Sequence, residues 1–181
     1  LTFGAFDLIR AMAKQNEPPE RACRPFDAAR DGFVMGEGAA FLLLEEEGHA
    51  RRRGARVYAE LAGYGLTNDA HHMTAPRPDG RHAIRAMRLA LEDARVGPEE
   101  VEAINAHASS TPLNDKTETR AIKEVFGERA ARIPISGTKS MHAHSLGASG
   151  AIEAVIAALT VARGFVPVSY THLTLPTILR V

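Results

Sequence analysis

Lys139, His142 and His144 stand within six positions of one another in GTKSMHAHSLGASGA, residues 137–151. An amine beside imidazoles places a fixed positive charge next to groups that exchange protons near neutral pH. A second polar cluster opens at His107 and runs through HASSTPLND, a stretch dense in hydroxyls. These histidines admit two readings. A lone loop histidine is commonly structural or merely exposed, whereas two clusters at neighbouring strand ends point to one shared site. A metal pair, His142-x-His144 completed by His71-His72 or an acid, is the weaker reading. The chain has no HExxH and only one cysteine, and Lys139 would repel a divalent cation. GTKS lacks the glycine spacing of a phosphate loop. Cys23, in RACRPFD, has no adjacent base and reads as a spectator thiol.

The elements that must position these groups follow from periodicity. VEAINAH and RIPISGT read as short strands, each delivering its carboxyl end to one of the two clusters. Between them NDKTETRAIKEVFG reads as a helix, with Asn114 or Asp115 as cap and Gly127 as stop. DGRHAIRAMRLALEDARVG carries Ile84, Met87 and Leu91 at amphipathic spacing, with Gly97 beyond its end. SLGASGAIEAVIAALTVARG is an Ala-rich helix, apolar on most sides, of the kind found inside a large fold. Upstream, residues 39–44 read as a strand buried on both faces, and RVYAELAGYGL as a second strand. Strands alternating with helices predict an α/β sheet of βα units, whose functional loops gather at strand ends.

Two polar groups remain open at this level. Glu118 is either a first-turn acid complementing its helix dipole or an acid held close to Lys139. Ser109, Ser110 and Thr111 form either a capping turn or a set of hydroxyls for a ligand.

Composition excludes several classes of function. The 181 residues carry 22 basic and 22 acidic side chains, so no net field draws the chain to nucleic acid or an anionic membrane. The acidic run 45–47 and basic run 51–53 fit a solvated helix face. The longest apolar segment, residues 151–168, contains Glu153 and Arg163 and reads as too short and too charged to span a bilayer. A single cysteine suits a reducing cytoplasm.

RPFDAARDGFVMGEGAAFLLLEE, NAHASSTPLNDKTE and GTKSMHAHSLGASGA together resemble the β-ketoacyl-acyl carrier protein synthases, most closely the type II elongating enzymes of bacterial fatty acid synthesis. The three motifs stand in the family's order and spacing, and the resemblance runs from residue 1 to 167. It implies an α/β thiolase-like fold of two related halves, a homodimer, and decarboxylative Claisen condensation of an acyl-enzyme thioester with malonyl-acyl carrier protein. The resemblance places the two catalytic histidines at His107 and His144, the lysine at Lys139 and its accompanying glutamate at Glu118. Ser109, Thr111 and Thr74 would contact the phosphopantetheine arm. No cofactor or metal is implied, and acyl carrier protein is the expected partner. Nucleic acid and membrane are not expected, and the location would be cytoplasmic.

The family's nucleophilic cysteine has no counterpart in this sequence, since Cys23 lies outside its motif. Ala108 stands where glycine is common and Ser109 where threonine is common, and His142 reads as a bystander. The implied division is 1–55 for the end of the N-terminal half and 56–167 for an incomplete C-terminal half. Residues 168–181, beginning VSYTHLTL, form a tail unrelated to the family. With Leu rather than Met at position 1, the expectation is an inactive fragment of the synthase. A polyketide ketosynthase shares both histidines and the lysine. A non-catalytic chain-length factor usually loses such residues.

Overall fold

The computed structural model describes residues 2–169, so the tail reading of 168–181 falls almost wholly outside the described residues. The helices are α1 (Thr2–Leu8), α2 (Glu47–Arg52), α3 (Arg81–Ala94), α4 (Pro112–Phe126), α5 (Lys139–His142) and α6 (Ser149–Arg163). Two strands, β1 (Ile104–Asn105) and β2 (Ile135–Ser136), pair in parallel with Ile104 opposite Ile135 and Asn105 opposite Ser136. Helix α4 is the crossover between them, so the βαβ unit expected from the alternating pattern is present, with strands only two residues long.

The core forms where α3 and α4 cover this strand pair. Ile122, Phe126 and Ile133 are buried, and Met87, Leu91, Val101, Ile104 and Ile135 pack against them. Met87 and Leu91 come from the apolar stripe of α3, and Ile122 and Phe126 recur at helical spacing on α4, so one face of each helix is spent on the core. Helix α3 ends at Arg95, whose backbone enters the left-handed region (φ 56) and whose N–H bonds the carbonyls of Glu92 and Leu91. The expected stop at Gly97 lies two residues further on.

Helix α4 begins earlier than its sequence signals suggest. Thr111 is the cap, its side chain accepting from Asn114 N at 3.2 Å, and Pro112 takes the first helical position. Asp115, a candidate cap by sequence, is fully buried and committed elsewhere. Gly127 ends the helix as expected. Glu46 caps α2, and the neighbouring Glu47–Arg51 pair is exposed, as a solvated face requires.

Residues 39–44 and 56–66 are not strands. Among the described residues nothing pairs with either, and Phe41 is 93% and Leu43 81% exposed. A strand exists only with a partner to accept its ladder, so apolar content alone does not create one. Both stretches border a cleft of about 860 Å3 that Val155 and Leu159 of α6 help to line. The second is held by its backbone to α3. Tyr64 N donates to Asp93, and a Cβ at Gly65 would lie 2.0 Å from Ala86 O, an approach only glycine permits.

Helix α6 is not interior in this chain: most of its apolar residues are half-buried and Val161 is 70% exposed, because no described element covers that face. Residues Leu146–Arg163, counting the turn that leads into α6, also reach the length and apolar content at which a helix can cross a bilayer. This span overlaps the run 151–168, read from sequence as too short and too charged, and both Glu153 and Arg163 lie within it. Replacing Ile122 by Ala empties the centre of the α3–α4 core and lowers unfolding stability by about 2–5 kcal/mol. Urea unfolding checks this as a fall in midpoint with an unchanged slope.

Candidate active site

The two polar clusters meet because β1 and β2 are parallel neighbours, so both release their chains at the same end. β1 delivers Ala106, His107 and Ala108, and β2 delivers Gly137, Thr138 and Lys139. A Cβ at Gly137 would stand 2.7 Å from that of Ala108, so the bare glycine lets the two loops touch. Lys139, at the start of α5, is fully buried. Its ammonium donates to His107 O at 2.6 Å and to Glu153 Oε1 at 2.5 Å. Glu153 comes from α6, so this one side chain ties α5, α6 and the loop after β1 together.

Glu118 is not the group that holds Lys139. Its two oxygens accept from the backbone N–H groups of His107 (2.6 Å) and Ala108 (2.8 Å), and one also accepts from Asn114 Nδ2. It fixes the path of the His107 loop instead. Burial pushes the Glu118 carboxyl above its ordinary range, against the opposing pull of those two N–H groups.

The other histidine is placed by a different ladder. Met35 and His144 form a parallel bridge, with His144 N donating to Val34 O (2.8 Å) and Gly36 N to His144 O (3.0 Å). The imidazoles of His107 and His144 then meet edge to face, centroids 5.2 Å apart, with Phe33 packed on the far side of His144 at 5.3 Å. Leu146 N–H points at His144 Nδ1 at 3.1 Å. A backbone N–H can only donate, so Nδ1 carries a lone pair and the neutral ring keeps its proton on Nε2.

Both rings are held neutral. Desolvation and then the Lys139 charge lower each to about 4, with His107 feeling His144 next and His144 feeling His142. His107 keeps exposed surface although protein atoms crowd its ring; desolvation first and the nearby ammonium second are common to both rings. The backbone at this site is strained. Ala108 (φ 45), Ser110 (φ 66) and Ala143 (φ 59) occupy the left-handed side, a conformation that glycine would adopt without strain.

The N-terminal lead braces the His107 loop. Arg30 donates to the carbonyls of Thr111 (3.0 Å) and Pro112 (2.8 Å) and pairs with buried Asp115 at 3.5 Å. Asp115 in turn accepts from Phe26 N at 2.7 Å, and Ser110 Oγ from Arg24 N at 3.1 Å. Cys23 sits behind this brace, its thiol donating to Lys139 O at 3.1 Å and pushed up to about 11, by burial first. Such a thiol stays protonated at neutral pH and is no nucleophile.

Ser109 and Thr111 stand together, hydroxyls 2.9 Å apart, and Thr111 caps α4, which is the capping reading of this stretch. Thr74 lies apart on an exposed turn, its N–H donating to His72 Nδ1, and among the described residues no hydrogen bond joins it to His107 or His144. His142 turns Nε2 to Thr138 Oγ1 at 3.2 Å. Among the described residues no group of three or more His, Cys, Asp or Glu is gathered as a metal set.

Residues 58–172 match the C-terminal domain of the β-ketoacyl synthases, and residues 1–50 match their N-terminal domain. The chain belongs to the β-ketoacyl synthase family. Its fold is the α/β thiolase-like fold, of which it contains part. The chain is 53% identical over 167 residues to 3-oxoacyl-[acyl-carrier-protein] synthase 2 of Synechocystis, matching 92% of its own length and 40% of that relative. The enzyme of the same name from Coxiella burnetii is 48% identical over 161 residues, which is 89% of this chain and 39% of that protein. Among solved structures, a type II polyketide ketosynthase bound to its acyl-carrier protein superposes with TM-score 0.89 at 45% identity, over 92% of this chain and 41% of that one. A β-ketoacyl synthase from Burkholderia phymatum gives 0.82 at 40% identity, over 93% and 44%. The chain thus spans about 40% of the length of the synthases it matches.

Sequence reasoning missed Glu153, which it weighed only as a charge unsuited to a membrane. The signal was present: an acid inside an apolar helix needs a cation, and Lys139 lies on the preceding element. The brace through Arg30 and Asp115 joins segments about eighty residues apart, and no local pattern announces it.

A ring that stays neutral to about pH 4 when folded, and titrates near 6.5 when unfolded, binds fewer protons in the native state between those values. His144 therefore costs stability as pH falls from 6.5 to 4, and adds no pH dependence above 6.5. Measured by urea unfolding against His144→Gln, which shares the other titrating groups, the wild type loses roughly 2 kcal/mol relative to the variant across that window. A constant gap would contradict the neutral ring.

Proposed function

We propose that this chain carries the decarboxylating half of the active site of a β-ketoacyl-acyl carrier protein synthase, of the elongating type that builds fatty acids. The observation that carries the reading is the pair of neutral imidazoles at a buried lysine. In the reaction, the bond between the malonyl carboxylate and Cα breaks, carbon dioxide leaves, and the electron pair passes into an enolate on the thioester oxygen. The carbanion then attacks an acyl thioester and expels a cysteine thiolate. His107 and His144 serve as N–H donors to the enolate oxygen, and each such donor is worth about 3–4 kcal/mol. Lys139, locked by Glu153, adds its charge to the desolvation that keeps both rings neutral, without moving a proton itself. Ser109 and Thr111 offer hydroxyls to the phosphopantetheine arm, and Thr74 is the outlying member of that set. The nucleophile comes from outside this sequence, since its one cysteine is Cys23.

Acyl carrier protein is the proposed partner and the active form a homodimer, acting in the cytoplasm without nucleic acid, membrane, metal or cofactor. The ion pair between Lys139 and Glu153 supports reading α6 as a site-bearing helix of the fold rather than a spanning one. We assign 1–55 to the end of the N-terminal half, 56–167 to the C-terminal half and 168–181 to a tail, of which 168–172 still fall within the family match. A polyketide ketosynthase is the second reading, favoured by the likeness to a structure of that class. Assay against carrier proteins of the two pathways separates them. The intact His107, Lys139 and His144 weigh against a chain-length factor.

The test is a chimera in which these residues replace the matching 167 of the Synechocystis relative. It condenses acyl and malonyl carrier proteins, and His144→Ala lowers its malonyl decarboxylation by about 10²–10³-fold. Decarboxylation unchanged by that substitution would remove His144 from the oxyanion role. A folded chimera unable to condense, with either pathway's carrier protein, would overturn the synthase reading.

A further inference from the structure

Ser149 is the first residue of α6 and is 3% exposed. A serine at a helix start commonly turns its hydroxyl to the free N–H groups of the first turn. Here the cap position is Ala148, which makes no side-chain cap, and the Ser149 hydroxyl lies 2.9 Å from His144 Nδ1. Because Leu146 N–H already donates to that nitrogen, Nδ1 is an acceptor and the hydroxyl must be the donor.

We propose that Ser149 is a positioning residue for His144, its hydroxyl given to Nδ1 so that the ring proton stays on Nε2. The proposal rests on the reading of His144 as an N–H donor to the reacting oxygen, which requires that tautomer. Two donors converge on one lone pair. Moving the proton to Nδ1 would bring it against the Leu146 N–H and force the hydroxyl to turn round. The hydroxyl's share is the adjustable one, since the backbone donor is fixed by the turn Leu146–Ala148, whose first residue sits at φ 49. The other groups facing the ring are Lys139, His142, His107 and Phe33, and none of them bonds Nδ1. An alanine in place of Ser149 removes one oxygen from a buried position and leaves all of these in place.

The experiment is a long-range 1H–15N spectrum of the histidine rings in the full 181-residue chain at pH 7. Wild type shows His144 with Nδ1 unprotonated and Nε2 protonated. In Ser149→Ala the tautomer ratio shifts about fivefold toward Nδ1–H, the size expected for losing one net hydrogen bond, while His107 keeps its wild-type shifts. Ser149→Thr, which returns the hydroxyl, restores the wild-type ratio. If alanine unsettles the start of α6, Ser149→Cys gives the same readout with a weak donor and shifts the ratio in the same direction. Wild-type His144 shifts in the folded alanine or cysteine variant would overturn the proposal. The spectrum needs no substrate, so its outcome is separate from that of the chimera: a failed condensation leaves the Ser149 result standing, and unchanged spectra leave the synthase reading standing.

Discussion

The site is organised around an ammonium group buried out of reach of water. Taking a lysine from water costs several kcal/mol, and removing only its counter-ion would leave that cost uncompensated. Lys139 meets it with two charge-assisted hydrogen bonds, to Glu153 and to the His107 carbonyl. Those two partners belong to different elements, so satisfying one charge fixes the start of α6 and the loop after β1 relative to α5. The same charge acts through space on both imidazoles and adds to the desolvation that is the larger cause of their lowered pKa. A single side chain thus positions the site and contributes to its electronic tuning.

The rest of the structure serves this arrangement. The parallel register of β1 and β2 brings their loops to one end, and Gly137 lets those loops touch. Glu118 gathers the two N–H groups after β1, Arg30 and Asp115 clamp the same loop from the N-terminal lead, and the Met35–His144 bridge carries in the second histidine. Backbone held on the left-handed side at Ala108 and Ala143 costs of order 1–3 kcal/mol each, and it persists because so many bonds over-determine these turns.

Much of this was legible in the sequence where the cause is local. Amphipathic spacing located α3 and α4, the alternation of apolar and helical stretches gave the βαβ unit, and the two polar clusters holding His107, Lys139 and His144 do meet at one strand end. Where the cause is a partner elsewhere in the chain, the reading went astray. Residues 39–44 carry strand composition but find no ladder partner. Asp115 has the chemistry of a cap but is claimed by Phe26 and Arg30, leaving Thr111 to cap α4. Glu118 has the right charge to hold the lysine, yet the distances give that place to Glu153. The family motif located the acids without revealing which cation or N–H each would meet.

The central claim is that the buried cation, acting on top of desolvation, helps hold both imidazoles neutral. Its most direct test is the ring titration of His107 and His144 by NMR in Lys139→Met/Glu153→Gln, which removes the charge without leaving a buried carboxylate unpaired. Both midpoints should rise together from about 4, part of the way toward the unperturbed value near 6.5, since desolvation remains. Two rings still titrating near 4 in the folded double variant would show that desolvation alone suffices, and that Lys139 is not the organising charge.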